Sequence, residues 1–488
     1  MARSENTPIL VGVGACLQRL DDPAEALEPV ALMVRALEAA ALDAGAPDLL
    51  GRADSVRVPR GFWEYPDPAR FIAEKIQASS ARTVVSEIGV LQSTLLGQAA
   101  KDIAAGKSEI VLVAGGEAKY RALRAQIAGT EPILSSQPDI EADQVLRPAQ
   151  EILHPLEIER GAVMPVRQYA MVDNALRAEE GLSLDAHRDE IARLWAAMSD
   201  VASRNPQAWD PTPASAEAIR NASAKNPMLA FPYTKFHNSQ WNVDQAAGLI
   251  LCSVAAARRA GIPESKWIYP WVNTESNYML TFSERAEPHR CPGFAMAGRR
   301  AFEATDTEPD QIHHRELYSC FPSAVRVQLR ELGIDPMVPH TVTGGMRFAG
   351  GPLNNFVLQA TVRMAQVLRD EPGELGLVTA VSGVLTKQGV MIFGSQAPNR
   401  DFLFEDVSAE TEKAHRVVPL EKELHGPARV LAYTVTYLGD EPHQGILLCE
   451  NEQGQRTLAL CEDRDRVIAM TQSEFCGQEV ELDGATLN

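Results

Sequence analysis

The residues best able to do chemistry in this chain fall into three short stretches. They are Asn238-Ser-Gln-Trp-Asn-Val-Asp244, Tyr318-Ser-Cys-Phe321 and Thr343-Gly-Gly-Met-Arg-Phe-Ala-Gly-Gly-Pro352. A phenol such as that of Tyr318 can donate to an oxygen that is gaining charge or take a proton from a hydroxyl; in a packed core it only satisfies its own hydroxyl. Cys320 is the one cysteine in these stretches. A buried free cysteine is more often a small hydrophobe than a nucleophile. Gly344, Gly345, Gly350 and Gly351 let a backbone approach a ligand and offer amides as an oxyanion hole, or serve as plain turn glycines.

More familiar motifs fail. Gly12-Val-Gly14 follows a strand-like run, but the third glycine of a dinucleotide fingerprint would fall at Leu17. Gly106-Lys-Ser108 looks like the end of a phosphate loop, yet the required first glycine is Lys101. There is no GxSxG elbow and no HExxH helix. The seven cysteines are scattered with no CxxC, which argues against a zinc site and a disulfide framework and for a reducing cytosol. His313-His314 reads as an exposed strand edge with no carboxylate placed to complete a metal site. No metal is expected.

These stretches sit in an alternation of strand and helix patterns, the mark of a layered α/β fold. Ile9–Gly14, Ser55–Val58, Thr83–Gly89 and Glu109–Gly116 read as strands, with helices at Pro29–Ala44 and from Leu91 to Gly106. The plan recurs with strands Glu316–Phe321, His340–Gly345, Leu375–Val381 and Val390–Phe393, and helices Ala324–Leu332 and Asn354–Leu368. Two copies of one plan indicate an internal duplication. The polar, proline-containing region between them reads as an inserted lid. After about Asp406 come Arg429–Tyr437, Gly445–Cys449, Arg456–Leu460, Arg466–Met470 and Glu479–Leu482, short strands at regular spacing that predict a small all-β barrel or sandwich.

With 46 Lys and Arg against 65 Asp and Glu, the net charge of −19 argues against a nucleic-acid partner. No run approaches the ~18 apolar residues of a membrane span. The basic residues Arg204, Arg220, Lys225 and Lys235 outnumber the acids Asp210 and Glu217 between residues 201 and 240, a better place for a polyanion than the acidic tail.

Four segments taken in order resemble the thiolase superfamily, nearest to sterol-carrier-type thiolases and type-1 thiolase-like proteins. They are Ile103-Ala-Ala-Gly106 followed by Glu109–Glu117, Asn238–Ala247, Leu317–Phe321 and Thr343–Pro352. The resemblance implies a duplicated five-layer α/β fold with an inserted loop domain over coenzyme A, and an oligonucleotide-binding-like β domain at the end. The implied division is residues 1–118 and 245–264 for the first half, 119–244 for the lid, 265–405 for the second half and 406–488 for the β domain.

Carried over residue by residue, the resemblance puts the family's nucleophilic cysteine at Gly89, its histidine at Gly351 and its second cysteine near Ser382-Gly383. None of these has the required side chain. Tyr318 stands where sterol-carrier-type thiolases carry a histidine that helps hold the thioester oxygen, and a tyrosine at this point resembles the thiolase-like aldolases that cleave steroid side-chain thioesters. Asn238 and Ser239 fall where the family contacts pantetheine, and Trp241 beside them either packs or stacks on the ligand.

The resemblance therefore implies an acyl-CoA protein that cleaves or forms a carbon–carbon bond next to the thioester, like acetyl-CoA acetyltransferase or 3-oxoacyl-CoA thiolase, with Tyr318 and Cys320 as catalytic candidates. Alternatives are a retro-aldol lyase on 3-hydroxyacyl-CoA using Tyr318, and a non-catalytic acyl-CoA binding or scaffold protein. Coenzyme A is the only small molecule implied. A homodimer through the core and a monomer both remain open, and the expected location is cytoplasmic.

Overall fold

The computed structural model describes residues 4–150 and 152–487. One sheet has the strand order β1 (Pro8–Gln18), β8 (Asp244–Ser253), β4 (Ile110–Ala118), β2 (Ser55–Pro59), β3 (Arg82–Ser86) and β5 (Gln144–Leu146). A second has the order β10 (His314–Glu316), β11 (Leu375–Ser382), β12 (Lys387–Gly394), β9 (Tyr269–Ser276) and β13 (Leu403–Asp406). In each, the first strand of the half runs antiparallel to the last, the last antiparallel to the one before it, and that one parallel to the next. The duplication read from the sequence is present as this shared connectivity.

Alternating side chains bury both faces of the first sheet, as a sheet sandwiched between helices requires. Ile9, Ile110 and Leu112 face α1 (Pro29–Ala44) and α2 (Pro68–Lys75). Leu10, Val111 and Val113 face the opposite way, against α3 (Gln92–Ala104) and α13 (Phe356–Asp370). Val378 and Met391 of the second sheet close on the same two helices from the far side. The outer face of that sheet packs on α10 (Pro292–Thr305) and α11 (Pro322–Leu332).

The region between the halves carries α4 (Lys119–Ile127), α5 (Pro155–Glu159), α6 (Pro165–Glu179), α7 (Leu184–Ala202) and α8 (Ala216–Arg220), with the short strands β6 (Met228–Ala230) and β7 (Tyr233–Thr234). α9 (Val254–Arg259) follows β8, and α12 (Gly345–Phe348) and α14 (Ser408–Ala414) are short connectors. At the C-terminal end β14 (Leu424–Leu438), β15 (Glu441–Glu450), β16 (Arg456–Cys461), β18 (Thr486–Leu487) and β17 (Glu479–Gly484) close into a five-strand barrel, because β14 pairs with both β15 and β17. β6 extends that sheet through Ala230 opposite Thr436, which joins the inserted region to the barrel.

Three local readings are corrected. The strand expected at Glu316–Phe321 ends at Glu316, because the Tyr318 amide donates to the Thr379 hydroxyl and not to a neighbouring backbone. His340–Gly345 forms no strand. The Val342 and Thr343 amides are taken by the Glu316 carboxyl group, and those of Gly344 and Gly345 by the Thr341 hydroxyl. Arg466–Met470 is helical: α15 (Arg464–Ala469) is capped by Asp463, which accepts from the Arg466 amide, and it buries Val467 and Met470 at helical spacing. No described helix is long and apolar enough to cross a membrane.

Candidate functional site

The helix α3 begins three residues after Gly89, and its first turn, Gln92-Ser93-Thr94, is buried. Gly89 itself has φ +102°, a backbone region in which a side chain is strained. A Cβ there would also lie 3.1 Å from Pro148 Cγ, so a side chain at this position would press on the chain after β5. The Gly89 carbonyl accepts from the Lys387 ammonium at 2.7 Å. Lys387 is buried, and burial depresses its pKa, opposed by Glu275 and Asp406. Glu275 shares that cluster and accepts from the Thr94 hydroxyl, with burial raising its carboxyl to about 7.

The two other positions singled out by the resemblance are closed as well. At Gly351 a Cβ would lie 3.1 Å from that of Ser239, and the Gly351 amide donates to the Gln240 carbonyl at 2.8 Å. Gly383 sits in the turn between β11 and β12, where its carbonyl accepts from the Tyr169 hydroxyl at 3.0 Å.

Tyr318 follows the short strand β10 and stands edge-on to Phe356 at the start of α13, with ring centroids 5.8 Å apart. Its backbone is fixed by the Thr379 hydroxyl at 2.8 Å and by the Gln328 amide at 2.9 Å. The ring keeps partial exposure although core residues surround it. Burial holds the phenol well above its ordinary pKa, and the neighbouring Cys320 adds to this, while the Gln92 amide facing the hydroxyl opposes it.

The Cys320 thiol, pushed up to about 12 by burial, faces the Tyr169 hydroxyl. Tyr169 comes from α6 and stacks on Phe321 at 4.6 Å; its phenol is raised by burial and then by Cys320. Tyr318, Cys320 and Tyr169 are therefore all protonated at neutral pH, so together they are donors without an ionised base.

The remaining candidates are placed as follows. The Asn238 amide donates to the Thr234 carbonyl at 2.9 Å, and the Ser239 hydroxyl to the Cys320 carbonyl at 3.1 Å. The second of these ties the expected pantetheine segment directly to the Tyr318 loop. The amides of Gly344, Gly345 and Gly351 are used internally. Gly344, at φ +103°, packs against Ala202 of α7, which leaves no room for a side chain. Gly350 packs against the Gln245 side-chain amide.

Trp241 is not packed in the core. It is half exposed, edge-on to Phe62 at 6.0 Å, with the Lys119 ammonium 4.5 Å from its ring. His313 and His314 do lie on an edge strand side, paired with Glu374 and Glu371. Among the described residues no group of three His, Cys, Asp or Glu side chains is arranged to hold a metal ion. In the basic segment Arg220 is already paired with Asp185 and Asp189, while Arg204, Lys225 and Lys235 are exposed.

Sequence reasoning missed three residues of this neighbourhood. Gln92 and Lys387 lie close in sequence to Gly89 and Gly383, so a search around those glycines would have reached them. Tyr169 belongs to the inserted region and carries no motif.

Duplicated sheets packed on two shared helices define a thiolase-type fold, and the chain is similar to proteins of the thiolase superfamily. Within it the chain is similar over 99% of its length to the crystal structure of a monomeric SCP2-thiolase like protein type 1 from Mycobacterium smegmatis, at 28% identity and a TM-score of 0.83, again covering 99% of that chain. An Ltp2-ChsH2(DUF35) aldolase shares the fold over 80% of this chain and 98% of its own, with 18% identity and a TM-score of 0.60. In sequence, the acetyl-CoA acetyltransferase of Methanocaldococcus jannaschii is 26% identical over 241 residues, 49% of this chain and 54% of that protein. The chain thus spans about half the length of that curated relative. No family model matches the sequence.

Proposed function

We propose that this protein binds acyl-CoA with the thioester oxygen at Tyr318 and acts on the carbon next to that carbonyl without an acyl-enzyme. The supporting observation is the pairing of a half-buried Tyr318 with a position 89 that carries no side chain and against which Pro148 packs. A neutral phenol can donate to an enolate oxygen as it forms. In a retro-aldol cleavage the β-hydroxyl gives its proton to water as the β-carbon becomes a carbonyl, the Cα–Cβ electron pair passes to that enolate, and the enolate takes a proton back at Cα to give the shortened thioester.

The layering of helix, sheet, shared helices, sheet and helix supports the five-layer reading of the core, and the closed barrel supports an oligonucleotide-binding-like reading of residues 406–488. On the same resemblance we assign coenzyme A to the segment of Asn238 and Ser239, and the protein to the cytoplasm.

The test is Tyr318→Phe, which removes the hydroxyl and keeps the ring. Cleavage of 3-oxoacyl- or 3-hydroxyacyl-CoA is expected to fall about 10²–10⁴-fold with coenzyme A affinity retained. Unchanged turnover removes Tyr318 from the mechanism. A second reading, a non-catalytic acyl-CoA binder, is favoured by the absence of an ionised base among Tyr318, Cys320 and Tyr169. It becomes the better reading if the parent protein binds acyl-CoA and turns over neither substrate class.

A further inference from the structure

Lys387 is 3% exposed at the first position of β12, a strand whose eight residues are all buried. Its Nζ donates to the Gly89 carbonyl at 2.7 Å, and among the described residues no carboxylate forms an ion pair with it. The carboxyl groups whose fields reach it, Glu275 of β9 and Asp406 of β13, are engaged by other donors. Glu275 accepts from the Thr94 hydroxyl at 2.9 Å and the Asn277 side-chain amide at 3.0 Å, and Asp406 from that same amide at 3.0 Å. An ammonium buried without an ion pair is costly, and such a group gives up its proton. Burial depresses the Lys387 pKa in that direction, against the pull of the two carboxyl groups. The neutral amine keeps an N–H on the Gly89 carbonyl and has a lone pair to spare.

Strand register places this amine in the layer where Tyr318 lies. Lys387 pairs with Ser382 on the last rung before the β11–β12 turn, with Gly389 opposite Ala380 and Met391 opposite Val378. Side chains two apart share a face. Lys387 therefore projects on the side of Met391 and Val378, toward α3 and α13. At Gly389 a Cβ would meet the Ser93 hydroxyl of α3 at 2.4 Å, so the missing side chain lets the first turn of α3 settle beside Lys387. Tyr318 packs against the same inner cluster from the β10 side and stands edge-on to Phe356 of α13. Phenol and amine thus enter one layer from the two strands that flank β11, the first as a donor and the second as a proton acceptor.

We propose that Lys387 is the general base of carbon–carbon bond cleavage, taking the β-hydroxyl proton of a 3-hydroxyacyl-CoA in place of water. The O–H electron pair becomes the second bond of the new carbonyl, and the Cα–Cβ pair passes to the enolate whose oxygen Tyr318 holds. The Lys387 ammonium then returns the proton to Cα. The step is redox-neutral and leaves the amine as it began. The inference rests on the acyl-CoA reading above and supplies the base that Tyr318, Cys320 and Tyr169 lack.

The experiment follows hydrogen–deuterium exchange at Cα of acetyl-CoA in D2O, by proton NMR with the full-length protein. Exchange needs the base and the enolate but no particular acyl chain. Lys387→Gln keeps an N–H for the Gly89 carbonyl and removes the base. Exchange is expected to fall about 10²–10⁴-fold while coenzyme A affinity, read by calorimetric titration, holds. In Lys387→Ala, added methylamine should restore part of the exchange, and a series of primary amines should act in the order of their basicity. A merely structural lysine gives no such response.

Undiminished exchange in Lys387→Gln overturns the proposal, as does a Lys387→Ala protein that binds coenzyme A and gains nothing from any amine. Joint loss of exchange and coenzyme A affinity in both variants marks a structural lysine and overturns it too. If the parent binds acetyl-CoA without exchanging its Cα hydrogens, the proposal falls and acyl-CoA binding stands. If the parent does not bind, both fall.

Discussion

At Gly89 backbone and neighbour act in the same direction. A residue with a Cβ would pay for φ +102° with strain of about 1–3 kcal/mol and would press on Pro148 at 3.1 Å. Gly89→Cys is therefore expected to lower stability by at least about 1 kcal/mol and to form no acyl adduct with acetyl-CoA. A melting curve and intact-protein mass spectrometry check the two halves, and an adduct mapped to residue 89 would show that Pro148 yields. Cys320 offers no substitute. Its thiol titrates at about 12, so the thiolate that alkylating reagents need is scarce at neutral pH, and Cys320 should stay unlabelled by iodoacetamide in the native protein.

At the scale of elements, α6 connects the site to the barrel. Tyr169 reaches the Gly383 turn, and one turn later Asp173 lies between Arg326, His187 and Tyr233. Asn174 donates to the carbonyls of Phe231 and Tyr433, and Arg177 pairs with Glu474 of the barrel region. Removing Asp173 leaves Arg326 buried with only its rim partners Glu180 and Glu190. Asp173→Ala should cost about 3–5 kcal/mol in a denaturant titration. A loss below about 1 kcal/mol would mean that Glu180 and Glu190 suffice.

None of this was legible in the sequence, because Asp173, Arg326 and Glu474 are joined only by the tertiary fold. Local signals read well by contrast. The helix at about Pro29 to Ala44 is legible in the sequence, with proline at its start and Gly45 in the left-handed C-cap. The run Arg466–Met470 misled because a short apolar stretch fits strand and helix alike, and its Asp463 cap was overlooked. The glycines at 89, 351 and 383 announced missing side chains. What fills their space, Pro148, Ser239 and Thr386, comes in two of the three cases from distant chain.

For the whole molecule the first question is whether a sheet edge is left open. The outer edge of β3 is covered by β5 of the same chain, and the barrel closes on itself. The edge strands β5 and β10 are three residues long each and leave little backbone for a partner to pair with, and the M. smegmatis protein it resembles is described as monomeric. Light scattering coupled to size exclusion is expected to give one species near the chain mass of 53.2 kDa, and a stable species of twice that mass would contradict it.

The second question is acid stability. Burial holds His237 down to about 3 and depresses His187, against an ordinary value of about 6.5. Each is neutral in the fold, so its contribution is complete above about 6.5 and is lost as pH falls toward the folded value. Glu117, Glu275 and Glu316 act in the opposite sense. Burial raises each to about 7, so the unfolded chain releases these protons first and stability declines as pH rises from about 4.5 to 7. Between those limits the two sets oppose each other and the denaturation midpoint should change little. Below about 4.5 the glutamates are protonated in both states and the histidine term remains, at about 1.4 kcal/mol per pH unit for each such histidine. It is joined by the depressed carboxyl groups of Asp43, Asp143, Asp173 and Glu474, whose stabilisation is lost in the same direction. The midpoint should then fall steeply, and His237→Gln should soften that fall while leaving the region above pH 7 flat. A midpoint in the parent that changes evenly from pH 4 to 8 would show that His237 and the three glutamates are hydrated in solution.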